Sequence, residues 1–342
     1  MSETDRETNP QQDHVGYFLE DIRYQGKSPR TQAAYERVLG EFEMYLHSRG
    51  LRLDEANHRD CMAYIHQLRG EVAESTVATY ASYLHRFYDY MTRVDAFEDN
   101  PMALVLEEID ESINTDPARR DITVTEMRTF VGEITHPLDR AVILTLLKTG
   151  IRAGELCNLD LRDIHLPAAP IADSHRPRLD GREESLYVDD APADGRLYNS
   201  ERRSASNKRK RATTIPLDDE LADVLCQWLA VRPDAVSEAE PLFVSTGEEW
   251  GRRLTPAMVH HIVETHARDY GWYRTGGGPE ENVTPHYFRH FFTTHLRDRT
   301  GDRGVVKYLR GDVATDIIDT YTHDWGNRVR DEYVTHIYSL LE

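Results

Sequence analysis

Lysine is scarce in this chain of 342 residues: only five are present (Lys27, Lys148, Lys208, Lys210 and Lys307), against 36 arginines. Cations as a class are outnumbered too, 41 Lys and Arg against 60 Asp and Glu, for a net charge of −19. Nowhere do apolar residues run for the ~18 positions a membrane-spanning helix needs, so no membrane role is expected. The opening stretch MSETDRETNPQQDH has no apolar segment and does not read as a secretory signal. Cysteine is limited to Cys61, Cys157 and Cys226, far apart within apolar patterns. They read as reduced core thiols, and neither a disulfide framework nor a zinc site fits them. A cytoplasmic protein is expected, and its length suits two domains better than one small core.

The acidic total at first argues against a nucleic-acid partner. Many acids with almost no lysine is, however, the surface chemistry of a protein built for high salt, where screening relieves self-repulsion. Strong salt also weakens counterion release, so a uniformly basic surface would gain little. The source is therefore read as a halophile, an archaeon, and the net charge stops counting against DNA.

What is present is mostly helical pattern. Ser28 and Pro29 form a cap and first-turn pair, after which Tyr35, Leu39, Phe42, Tyr45 and Leu46 recur at helical spacing up to Gly50. Val77, Tyr80, Leu84, Tyr88 and Met91 mark a second long helix, with a shorter one at CMAYIHQL between them. These aromatic stripes read as the core of a helical bundle. An acidic stretch, LEEIDESINTDP, reads as a linker. Thr123 and Glu126 then form a capping box, and an apolar helix at AVILTLLKTG stops at Gly150. Short β-like runs at LRDIHL, SLYV and ATTIPL predict a small sheet. Helices resume at DDELADVLCQWLAV, Thr255-Pro256 and Thr284-Pro285. The expected fold is mainly α with a small antiparallel sheet (α+β). Its expected domains are a flexible N-terminus at 1–13, a helical unit at 14–100, a linker at 101–117 and a second unit at 118–342.

Four segments can carry chemistry. In TGIRAGEL, Arg152 follows Gly150 at a helix start, where a planar guanidinium could bind two phosphate oxygens; taken alone it reads rather as a surface arginine. In SNKRKRATTIPL, four consecutive basic residues (Lys208, Arg209, Lys210, Arg211) lead into a strand, and two of the five lysines are here. Lysine, unlike arginine, can give up a proton and act as a general acid. In TPHYFRHFFTTHL, His286, Arg289 and His290 share one helix face. The two histidines lack the intervening glutamate and fixed third ligand of a zinc helix, so no metal is expected. In DTYTHDW, Tyr321 carries nothing local that marks it as a nucleophile.

Taken in order, the four segments resemble the boxes of the tyrosine recombinase (phage integrase) family, most of all its archaeal, Xer-related branch. TGIRAGEL resembles the first arginine box, the lysine ahead of Ile215-Pro216 the β-hairpin lysine, His286 to His290 the His-x-x-Arg-His box, and Tyr321-Thr322-His323 the nucleophile box. The resemblance implies a helical core-binding domain of SAM-like type followed by a catalytic domain. It implies that Arg152 and Arg289 clamp the scissile phosphate, that Tyr321 attacks it to give a 3′-phosphotyrosyl link, and that Lys208 protonates the leaving 5′-oxygen, with Lys210 the rival. His286 handles protons, Glu155 and His290 are supports, and Arg209, Lys210 and Arg211 contact DNA. No cofactor is implied, and the expected assembly is a homotetramer on two double-stranded DNA sites, with the tail DEYVTHIYSLLE docking on a neighbouring subunit.

Two departures stand out. Nine residues before Tyr321, where the family carries His or Trp, this chain has Asp312. An ionised Asp cannot donate to a phosphate, so it is protonated, orients a neighbour, or leaves the donor role to a residue such as Arg310. The loop between the first two strands is also long. A type IB topoisomerase-like enzyme and a DNA-binding regulator without catalysis remain alternatives.

Overall fold

The computed structural model describes residues 13–111, 118–169, 175–312 and 325–341. They form two compact units, one before and one after residues 112–117.

The first unit is all helix: α1 (His14–Tyr24), α2 (Pro29–His47), α3 (His58–Leu68), α4 (Glu74–Arg93) and α5 (Met102–Glu108). The Ser28 hydroxyl accepts from Thr31 N–H at the start of α2, as the cap pattern predicts. Tyr35, Leu39, Phe42 and Leu46 of α2 meet Val77, Tyr80, Leu84, Tyr88 and Met91 of α4 in one core. The expected linker at 101–117 is not structureless throughout. Its Met102 and Val105 are fully buried, so the segment folds as α5 against α3 and α4.

The second unit begins with α6 (Val124–Gly132), opened by the reciprocal Thr123–Glu126 capping box. Next comes α7 (Pro137–Thr149), in which every residue from Ala141 to Thr149 is buried. A helix with no polar face has to lie at the centre of a core, and α9 (Asp219–Val231) and α11 (Pro285–Thr300) pack on it. Around this centre lie α8 (Ala153–Cys157), α10 (Pro256–Asp269), α12 (Arg303–Arg310) and α13 (Trp325–His336). The antiparallel sheet has the order β1 (Ile164–His165), β2 (Ser185–Val188), β5 (Thr213–Pro216). Its register pairs Ile164 with Leu186 and Leu186 with Ile215, so the three apolar side chains share the core face.

A hairpin, β3 (Leu197–Tyr198) and β4 (Glu201–Arg202), stands between β2 and β5 and was not foreseen. Asn199 and Ser200 both take positive φ in its two-residue turn, the geometry that matches strand twist. It is tied down by Arg203, whose guanidinium is fully buried against Asp160, with Arg253 on the same carboxylate.

Within the single chain the tail is seated on its own unit. Tyr338 and Leu340 are buried, and the Tyr338 hydroxyl donates to Leu147 O at 2.5 Å. Glu220 accepts from Leu340 and Leu341 N–H at 2.9 and 2.7 Å. Beneath lies Lys148, fully buried, its ammonium 2.6 Å from Asp218, 2.5 Å from Glu220 and 2.6 Å from Tyr338 O. A buried ammonium with two carboxylates and a carbonyl is satisfied; removing any partner leaves a costly charge.

Candidate active site

The site starts where α7 has to stop. Gly150 takes φ +62° and reverses the chain, and a Cβ there would lie 2.3 Å from the Phe292 ring. Ile151 is buried, and Arg152 follows as the cap residue of α8. Glu155 accepts from Arg152 N–H at 3.0 Å and from Arg152 Nη1 at 2.9 Å. Because Glu155 is completely buried, it fixes the direction of a guanidinium that is itself one-third exposed.

Helix α11 supplies His286, Arg289 and His290 from its first two turns. Arg289 is almost wholly buried, yet its donors are met: Nη1 by Gly150 O at 2.5 Å, Nη2 by Arg310 O at 3.0 Å and by both Asp312 oxygens at 2.9 Å. Burial and the Arg152 charge pull its pKa down to about 10, so it stays protonated at neutral pH. The protein atoms around the His286 ring, then the charges of Arg119, Arg289, Arg152 and Arg310, press its pKa below the ordinary 6.5. His286 is therefore neutral at pH 7. The His290 ring lies beside Tyr287, with centroids 6.3 Å apart.

The basic segment alternates anchor and exposed residue. Asn207 is held by Asn158 Nδ2 at 2.7 Å and donates to Asp189 O at 2.8 Å. Lys208 is exposed, with its carbonyl 3.5 Å from Arg152 Nη1. Arg209 points inward, donates to Leu309 O at 3.2 Å and pairs with Glu155 at 3.3 Å. Lys210 is exposed again, its N–H on Gly311 O at 3.3 Å. Arg209, expected to contact DNA, is thus a buried brace: Glu155, sealed from water, needs a second cation, and the end of α12 leaves a carbonyl to satisfy. Arg211 is half-buried and lines a groove with Arg178, Arg182 and Arg330.

Asp312 is held where these parts meet. At the end of α12, Gly311 N–H bonds Tyr308 O at 2.8 Å and Asp312 N–H bonds Lys307 O at 3.1 Å, the pattern of a helix closed by a left-handed glycine. The Asp312 carboxylate lies 3.0 Å from Arg152 Nη2, 2.9 Å from Arg289 Nη2 and 2.9 Å from Arg310 Nη2. Partial burial raises its pKa, but Arg289, Arg310 and Arg152 outweigh that and hold the carboxyl below the usual carboxylate value. The protonated reading of Asp312 therefore falls; it is an anion that orients its neighbours.

The structure thus brings Arg152, Glu155, Arg289, Asp312 and the backbone of Lys208 together, with His286 close enough to feel the arginine charges. Tyr321 and His323 lie outside the described residues. Arg310, named above only as an alternative donor, sits on the Asp312 carboxylate, and Arg209, expected on DNA, sits on Glu155; the cue for Arg209 is that successive residues of an extended segment face opposite ways. Chemically, converging guanidiniums beside exposed lysines and a neutral imidazole suit a phosphodiester passing through a more highly charged state.

Two family models match: the phage integrase N-terminal SAM-like domain over residues 15–94 and the phage integrase family over residues 185–328, together more than half of the chain. Among curated relatives, tyrosine recombinase XerC of Pelobacter propionicus is 24% identical, covering 90% of this chain and 88% of its own length. Tyrosine recombinase XerD of Shewanella oneidensis is 23% identical, covering 94% and 95%. Among solved structures, the Tn1549 transposon integrase in complex with a circular intermediate DNA aligns with a TM-score of 0.65 at 18% identity, over 93% of this chain and 98% of that one. A lambda integrase dimer bound to a COC′ core site aligns with a TM-score of 0.62 at 14% identity, over 96% and 79%. With both of its units matched in the order these proteins carry them, the chain belongs to the phage integrase family, the tyrosine recombinases.

Proposed function

We propose that this protein is a site-specific DNA recombinase that cuts and rejoins strands through a 3′-phosphotyrosyl intermediate. The observation that carries the reading is the convergence of guanidiniums from three separate segments, all within 3.0 Å of one anion position. A phosphodiester at that point gains charge on attack, and fixed cations stabilise the gain without reorganising. In this reading Arg152 and Arg289 hold the non-bridging oxygens, with Glu155 and Arg209 aiming Arg152. Tyr321 attacks in line and the 5′-oxygen leaves with a proton from Lys208 or Lys210. Neutral His286 is able to accept a proton, and His290 supports the helix face. The bond energy is kept in the phosphotyrosine, so rejoining needs no external energy source.

The substrate is double-stranded DNA carrying a specific site, and the proposed working assembly is a homotetramer on two sites. The proposed setting is the nucleoid of a salt-loving archaeon's cytoplasm, which the arginine-rich, lysine-poor acidic composition supports.

The decisive experiment is adduct formation on a nicked suicide substrate. Tyr321→Phe is expected to abolish the covalent protein–DNA adduct; an adduct that persists removes Tyr321 as nucleophile. A 5′-thiol leaving group needs no acid, so it is expected to restore cleavage in whichever of Lys208→Ala and Lys210→Ala has lost the acid. A wild-type chain that binds the site but forms no adduct would instead be a regulator, and relaxation of plasmid lacking any site would indicate a topoisomerase.

A further inference from the structure

The anion position is already filled, and by the protein itself. Asp312 receives Arg152 Nη2, Arg289 Nη2 and Arg310 Nη2, each at 2.9–3.0 Å. Arginine forks that fit a carboxylate also fit two phosphate oxygens. An ionised carboxylate only accepts hydrogen bonds, so it cannot share that position with a second anion. One of the two has to leave, and the contacts indicate which. Arg152 keeps Glu155 on Nη1, and Arg289 keeps Gly150 O and Arg310 O, whatever Asp312 does. The Asp312 backbone is pinned by the closing turn of α12, so only its partly exposed side chain has to swing away. Arg310 is the arginine whose directions are least used up: its Nε is buried without a hydrogen bond among the described residues.

We propose that Arg310 is a third phosphate-clamping arginine beside Arg152 and Arg289, and that the Asp312 carboxylate is an internal anion which the scissile phosphate displaces. The clamp is thereby kept assembled and partly neutralised until DNA supplies a replacement. The inference rests on the strand-cleavage reading for its catalytic half only, since displacement by an anion is a binding event.

Binding is tested first, with inorganic phosphate and calorimetry. Asp312→Asn is expected to bind phosphate at least about tenfold more tightly than wild type, a gain of ~1.4 kcal/mol, and adding Arg310→Ala is expected to erase that gain. No gain in Asp312→Asn, or a gain that survives loss of Arg310, overturns the proposal whether or not the protein cleaves DNA. Catalysis is tested on suicide substrates carrying either a phosphodiester or an uncharged methylphosphonate at the scissile position. Arg310→Ala is expected to slow adduct formation on the order of 10²-fold on the diester, and by much less on the methylphosphonate, which has lost the charge Arg310 meets. Equal slowing on both substrates means Arg310 is merely structural. Arg310→Gln, which keeps the length of the side chain, is read the same way should the alanine variant fold poorly. A wild type that makes no adduct, while the phosphate results hold, refutes strand cleavage and leaves the anion site standing.

Discussion

At the scale of single residues, the site works by setting charges against one another before any substrate arrives. His286 shows the sign of the effect. Its pKa is lowered in the folded protein by packing and four nearby arginines, so the unfolded chain takes up its proton first as pH falls. The folded state therefore loses stability below the ordinary value of 6.5, and neutral His286 persists to lower pH than a free histidine. If the ring accepts a proton in the reaction, adduct formation should hold steady from neutral pH down to below 6.5 and fall only then. A pH–rate profile checks this: the acid limb should disappear in His286→Gln, and a limb centred above 6.5 contradicts the assignment. Arg209 gives the opposite lesson. It sits in a run of four basic residues that reads as a DNA-facing patch, yet the fold turns it inward to Glu155 and Leu309 O. Composition reports that cations are concentrated there; it does not report which way an extended segment faces.

At the scale of elements, the termini of helices do most of the positioning. The caps at Ser28, Thr123, Thr255 and Thr284, and the stop at Gly150, were legible because each is a local hydrogen-bonding problem solved within four residues. The 197–202 hairpin and α5 were not, since their stability comes from buried partners far along the chain: Asp160 for Arg203, and α3 and α4 for Met102 and Val105. The meeting of Arg152, Arg289 and Asp312 joins segments 137 and 160 residues from Arg152, which no local pattern can announce; family resemblance supplied it. Gly150 joins two of these roles, since its left-handed backbone ends α7 and its carbonyl holds Arg289. Gly150→Ala adds left-handed strain and a Cβ 2.3 Å from Phe292. It is expected to cost roughly 2–4 kcal/mol, read as a lower denaturant midpoint with unchanged slope, and to slow cleavage as well by moving the Arg289 acceptor.

At the scale of the whole molecule, the charge balance and the end of the chain govern behaviour. Sixty acids against 41 cations repel in dilute salt, and raising KCl from 0.1 M to 1 M shortens the screening length from about 10 Å to about 3 Å. A thermal midpoint rising by about 5 °C or more over that range, some 2 kcal/mol at this size, is expected; a flat or falling midpoint speaks against the high-salt reading. Lys148 has a different consequence, one of timing. It lies in the most buried helix of the second unit, but its carbonyl partner belongs to Tyr338, 190 residues later. While the ribosome is still short of that tyrosine, the ammonium at the heart of the nascent domain has only its two carboxylates and no roof. Synthesis must pass Tyr338 before the second unit can seal, so a shorter nascent chain is not yet able to present a completed DNA-breaking domain to the genome beside it.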